Sequence, residues 1–173
     1  METQNVQETN SDLMTTFEIQ ALENSYRPWV RQLLKAEWGG HIVISRGRVH
    51  DASQLPGFIA LEGNRPLGLV TYRIDGDACE LVTLNSLTHG IGIGSALVSE
   101  IKDIATSAGC RRLWLITTND NTRALRFYQK NGFRLVALHR DALEESRKLK
   151  PSIPLIGTDG IQLRDELELE IGL

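Results

Sequence analysis

Three glycines at alternate positions, Gly90, Gly92 and Gly94, stand between an apolar run ending at Leu84 and a helix-patterned segment opening at Ile93. A helix start presents unpaired N–H groups and the positive end of the helix dipole. Glycine there permits torsions other residues resist and lets an anion approach the backbone. The segment therefore predicts a strand–turn–helix unit whose turn holds a phosphate-bearing ligand. A dinucleotide fold would need G-x-G-x-x-G and an acidic residue about 20 positions on. The spacing here is G-x-G-x-G, and Leu113-Trp114-Leu115 lies at that distance. A P-loop would need Gly-Lys-Ser/Thr, whereas Ser95 and Ala96 follow Gly94. For this turn alone, glycines chosen only for sterics are the competing explanation.

A second motif bears on that choice. Residues 119–133 open with cap-type Asn and Asp, run as one helix with Ala124, Leu125, Phe127 and Tyr128 on its apolar face, and stop at Asn131-Gly132. The two segments read His89-x-x-Gly92-x-Gly94 and Asn121-x-x-Ala124-x-x-Phe127-Tyr128-x-x-x-Gly132-Phe133. In order and spacing over residues 15–138 the chain resembles the GNAT acyltransferases, the acetyl-CoA-dependent N-acetyltransferase superfamily. The resemblance implies an α+β (mixed α/β) fold, an antiparallel meander continuing into β-α-β-α-β around a central mixed sheet. It also implies acetyl-CoA as co-substrate, held by Leu84, Asn85, Ser86, His89, Gly90, Ile91, Gly92, Ile93, Gly94, Ser95, Asn121 and Phe127.

Size and composition narrow the rest. At 173 residues the chain suits one domain, with 1–14 read as a polar disordered leader and 15–173 as the acyltransferase domain. A net charge of −3 gives no electrostatic case for nucleic acid. No apolar run approaches about 18 residues, and the N-terminus lacks a signal-peptide pattern, so no membrane partner and a cytoplasmic location are expected. Cys79 and Cys110 lack metal-ligand spacing and read as small buried hydrophobes.

Periodicity predicts the elements in order. A strand over 15–21 is followed by a helix capped at Asn24 or Ser25, with Pro28 in its first turn and Gly39-Gly40 at its end. A short strand at 42–44 leads into the basic stretch Arg46 to His50. Residues 57–62 and 66–75 read as a hairpin across Gly63-Asn64, with 79–84 as the third strand. The helix of Ile93, Leu97, Ile101 and Ala105 ends at Gly109, and strands follow at 112–117 and 133–138. A charged helical insert spans 141–150, and the last strand covers 162–171.

Acyl transfer from a thioester to an amine needs three things: removal of a proton from the amine, donors for the developing oxyanion, and stabilisation of the departing thiolate. An alkyl ammonium of pKa about 10 is mostly charged at pH 7, so the amine needs a base. The resemblance points to Tyr128 as the acid near the CoA sulfur. The alternative is an aromatic helix face with a satisfied hydroxyl. Glu80 opens Glu80-Leu81-Val82-Thr83-Leu84, and it is either the base, directly or through water, or a structural strand residue. By the period-2 rule Glu80, Val82 and Leu84 share one face. Main-chain groups of Leu84, Asn85 and Ser86 are expected to polarise the thioester carbonyl. No metal and no covalent enzyme intermediate are required, since neither cysteine sits in a motif with histidine.

Two departures stand out. His89 occupies the place of the family's Gln or Arg, so a fixed positive charge is lost there. The turn from Leu84 to His89 lacks the usual proline and is about two residues short, which leaves Leu84 and Ser86 as alternatives for the acetyl contact. Acceptor choice falls to residues 26–38, 41–50 and 139–155. On the last strand Glu166, Glu168 and Glu170 share a face, which reads either as attraction for a cationic small-molecule or peptide amine or as a solvated face or guarded edge. Arg46, Arg48 and His50 point instead to an acidic acceptor or the CoA 3′-phosphate. The rival class is a non-catalytic acyl-CoA-binding sensor or partner module, and a homodimer stays open.

Overall fold

In a computed structural model the described residues are 16–173, so the expected leader lies outside them. Nine strands and four helices follow in the order β1 (Glu18–Ala21), α1 (Arg27–Trp38), β2 (Ile42–Ser45), β3 (Arg48–Asp51), β4 (Gly57–Glu62), β5 (Arg65–Asp75), β6 (Ala78–Ser86), α2 (Ile93–Ser107), β7 (Arg112–Thr118), α3 (Thr122–Lys130), β8 (Arg134–His139), α4 (Ala142–Leu149) and β9 (Glu166–Gly172). Seven strands form one sheet in the order β1-β4-β5-β6-β7-β9-β8. The β6–β7 pair is parallel and the other pairs are antiparallel. This is the mixed sheet of a GNAT-type fold, with the last strand slotted between β7 and β8.

Each face of the sheet is covered by a separate apolar cluster. On one face Ile93, Leu97, Ile101 and Ala105 of α2 pack with Val70, Leu81, Leu115, Leu169, Tyr128 and Phe133. On the other, Val30, Leu33 and Leu34 of α1 pack with Val43, Ala52, Leu69 and Val82. The helical spacing of both sets explains why these segments fold as amphipathic helices. Cys79 and Cys110 are buried free thiols, and burial pushes Cys79 up to about 12, beyond easy ionisation. Among the described residues no helix is long and apolar enough to cross a membrane.

Three sequence expectations are corrected. The basic stretch Arg46 to His50 is half of a hairpin: β2 and β3 pair across Arg46-Gly47, at φ 47° and 73°. Two left-handed residues in a two-residue loop match the twist of the flanking strands. Neither Asn24 nor Ser25 caps α1 with its side chain; a single 3-10 turn, Asn24–Tyr26, leads in instead. The third correction is a bulge in β6. Thr71 pairs with Thr83 and Tyr72 with Leu81, so Val82 is an extra residue. A bulge re-aims the side chains that follow it. Glu80 and Val82 keep the α1 face, but Leu84 packs with the α2-side core instead of joining them.

Candidate active site

β6 and β7 pair only as far as Leu81–Leu115, yet β6 runs on to Ser86 and β7 to Thr118. Beyond Leu81 the main-chain groups of β6 that face β7 have no strand partner, and buried backbone groups require one. The split between these strands is the centre of the site. A cavity opens on the α2 face and a smaller one on the α1 face, and Asn121 lines both.

The larger cavity is about 500 Å³. Leu84, Ser86, His89, Gly90, Gly92, Ile93, Gly94, Ser95, Asn121, Phe127 and Tyr128 all line it. Gly90 and Gly92 hold φ of 83° and 86°, and a side chain at either would meet open space. Torsion, then, dictates glycine there, and the space is left for a ligand. Gly92 caps α2 without a side-chain hydrogen bond, so the first N–H groups of the helix are available to an anion. Gly94 serves packing: an added Cβ would stand 3.1 Å from the Phe127 ring. Ser86 Oγ donates to Thr88 O at 2.8 Å and holds the short turn. Asn121 acts first as a helix cap, its Oδ1 accepting from Ala124 N at 3.1 Å.

Two expected cofactor residues do not line this cavity. Asn85 lies on the other face, where its Oδ1 accepts from Trp38 Nε1 at 3.0 Å, and Ile91 packs on the core. Sequence reasoning missed Arg123, which stands in the first turn of α3 and lines the cavity. It supplies a fixed positive charge that His89 does not. Its signal was its place two residues after the capping Asn121, at a second helix start facing the first. Arg46, Arg48 and His50 line no part of this cavity.

Tyr128 is 8% exposed, edge-on to Phe127 at 5.2 Å and to Phe133 at 5.6 Å. Burial pushes its phenol above the ordinary value. A phenol is already a weaker acid than a thiol, about 10 against about 8.5. Complete proton transfer to a thiolate is therefore uphill. What the buried hydroxyl does well is stay protonated and donate a hydrogen bond.

The smaller cavity, about 100 Å³, is walled by Trp38, Val43, Ile44, Leu81, Val82, Ile116 and Leu143. Its polar groups include Ser45, Glu80 and Glu166. Glu80 is 3% exposed; one carboxylate oxygen is 3.5 Å from His50 Nε2, and the other has no partner. Burial raises the Glu80 carboxyl above its ordinary value, helped by nearby Glu166 and opposed by Ser45, Arg48 and Arg73. Burial, with Arg73 and Arg48 beside it, lowers His50 and keeps its ring neutral. Glu166 is also raised by burial, although Arg46 N–H donates to it at 3.1 Å.

The acidic face of β9 is neither solvated nor an edge. Lying between β7 and β8, it leaves Glu166 1% and Glu168 5% exposed. Glu168 is neutralised locally. Burial opposes its charge, but His139 at 2.8 Å, Arg46 and Arg112 outweigh that and hold it below its ordinary value. Glu166 lacks such ion pairs.

The arrangement suits a reaction between two ligands meeting at the split, one held by helix N-termini and the other in an acidic pocket. Among relatives, the chain is 42% identical over 132 residues to the uncharacterized protein YdhI of Bacillus subtilis, covering 75% of this chain and 82% of that protein. It is 41% identical over 142 residues to the uncharacterized protein YxbD of the same organism, covering 81% and 89%. A Bacillus subtilis acetyltransferase solved in complex with CoA shares the fold, with a TM-score of 0.66 at 21% identity over 91% of this chain and 99% of that one. The family model for the acetyltransferase (GNAT) family matches residues 12–133, and the chain belongs to that family.

Proposed function

We propose that the protein transfers the acetyl group of acetyl-CoA to a primary amine by direct attack across the split between β6 and β7. The observation that carries this reading is the pair of cavities sharing Asn121, one built for an anionic ligand and one bearing buried carboxylates. Acetyl-CoA supplies an activated thioester. Gly90 to Ser95 and Arg123 hold its phosphates, and Leu84, Ser86 and Phe127 line the path toward Tyr128.

On the acceptor side, Glu80 takes the proton from the entering ammonium, directly or through one water. Its raised carboxyl lies nearer to working pH than a solvated glutamate, which improves a base that must bind a proton and then release it. Free main-chain N–H groups of β6 beyond Leu81 stabilise the oxyanion. The Tyr128 hydroxyl donates to the departing sulfur. No residue need be acylated.

Thiol release from acetyl-CoA against a panel of primary amines tests this, with wild type beside Tyr128→Phe. Turnover on one amine class, lowered about 10²-fold by the substitution, is expected. Unchanged turnover in Tyr128→Phe would remove that residue from the chemistry. Acetyl-CoA binding with no thiol release on any amine would favour a sensor instead.

A further inference from the structure

Among the described residues, every buried side-chain polar atom without a hydrogen-bond partner falls in one cluster: Ser45 Oγ, both ring nitrogens of His50, and one carboxylate oxygen of Glu80. Ser45 is 4% exposed and Glu80 3%, and both line the smaller cavity. Buried polar groups are ordinarily satisfied, so this set is open to a donor from water or from a ligand. The unpartnered atoms that its lining residues carry are a hydroxyl and a carboxylate oxygen, and a second carboxylate, Glu166, lines the same cavity. An ammonium, with three donors and no acceptor, is the complement of such a set.

The same pocket is closed to a negative substituent. No cationic side chain lines it, and His50 behind Glu80 is kept neutral. Lys150 is turned away, its Nζ donating to Trp38 O and Ile42 O at 2.8 Å each. On the other side of Glu80 lies a pocket of Arg48, Arg73 and Arg112. Those guanidiniums are already engaged: Arg48 and Arg73 with Asp75 at 2.8 and 3.9 Å, Arg112 with Glu170 at 2.6 Å and Glu168 at 3.1 Å. A carboxylate beside the reacting amine would face Glu80 and Glu166 with no cationic side chain in the cavity wall to meet it, and like charges placed together are unfavourable.

Most of the remaining wall is apolar, with Thr117, Thr118 and Asn121 as its other polar part, so a ligand's body must be largely apolar and compact. At about 100 Å³, against about 150 Å³ for a cavity that takes benzene, this one encloses only a few carbons. The geometry points to a compact aliphatic primary amine without a carboxylate as the acceptor class, its ammonium cradled by Ser45, Glu80 and Glu166. The inference rests on the proposed acetyl transfer only for its chemistry; the cradle is a binding site in its own right. Amino acids and their free α-amines are excluded by the missing cation, and Ser45 becomes a specificity residue.

Isobutylamine and valine form a matched pair, differing only in the carboxylate. Calorimetric binding of each to the CoA-loaded protein reads the cradle, and thiol release from acetyl-CoA with the same two compounds reads the transfer separately. Isobutylamine is expected to bind at least about tenfold more tightly than valine. Glu166→Gln and Ser45→Ala should each weaken isobutylamine several-fold, with Glu166→Gln narrowing its advantage over valine. Equal or tighter binding of valine, or no binding of isobutylamine, overturns the inference. Selective isobutylamine binding without thiol release upholds the cradle and overturns the transfer. Thiol release equally fast with both compounds upholds the transfer and overturns the cradle.

Discussion

Gly68 on β5 fixes how closely α2 approaches the sheet, and Gly68→Ala tests whether that contact sets the cofactor turn. Its backbone is not left-handed, so the substitution adds crowding without torsional strain. The new Cβ would stand 2.7 Å from Ile93 Cγ2, 2.9 Å from Asn85 O and 3.1 Å from Leu97 Cδ1. Asn85 O is main chain and cannot swing aside, so Ile93 must move, and Ile93 is the first residue of α2. Overpacking of this kind costs about 1–3 kcal/mol. The lower entropy of an unfolded alanine offsets about 0.4–1 kcal/mol. A net loss of up to about 2.6 kcal/mol lowers Tm by up to about 10 °C for a chain this size. Because Gly92 caps α2, the same displacement should raise KM for acetyl-CoA. Calorimetric melting gives the first number and steady-state kinetics the second. A double-mutant cycle with Ile93→Ala then isolates the contact, and the pair should couple by at least about 0.5 kcal/mol. Strict additivity, or an unchanged KM beside a lowered Tm, would refute the claim that Gly68 seats the phosphate turn.

Other outcomes follow from the same geometry. Arg123→Ala should raise KM for acetyl-CoA several-fold with little change in kcat, since it removes a binding charge outside the reacting centre. Gly92→Ala meets no crowding but must hold φ near 86°, so it should cost about 1–2 kcal/mol in melting with no rescue from Ile93→Ala. Glu80→Gln should lower kcat about 10²-fold or more, and the rise of activity with pH that tracks its carboxyl should vanish. The same variant should be more stable than wild type at pH 8 and lose that advantage near pH 4. The sign follows from burial: a carboxyl raised in the folded state contributes fully below its ordinary value, and that contribution fades as pH climbs through the raised value. A Glu80→Gln protein melting below wild type at pH 8 would show that the charge is compensated in the fold.

What could be read from sequence was local. The α3 motif and the glycine turn carry their own caps, periodicity and torsional demands within a few residues. The same holds for the β4–β5 hairpin across Gly63-Asn64. The errors were non-local. Nothing in Glu80-Leu81-Val82-Thr83-Leu84 announces the bulge, which arises from pairing with β5 and turns Leu84 onto the cofactor face. The alternation of Glu166 and Glu168 reads as a wet strand face until β9 is placed between β7 and β8. One miss was local after all: Arg46-Gly47, after the β-branched run Ile42-Val43-Ile44, is a two-residue hairpin loop, masked by its basic composition. The same bulge turns the Asn85 side chain to the α1 face, where it meets Trp38.

Direct transfer across the β6–β7 split is tested most directly by initial rates measured while acetyl-CoA and isobutylamine are varied together. Simultaneous occupancy of the two cavities predicts double-reciprocal lines that intersect. Parallel lines, the mark of an acetyl group parked on the protein between two half-reactions, would contradict it.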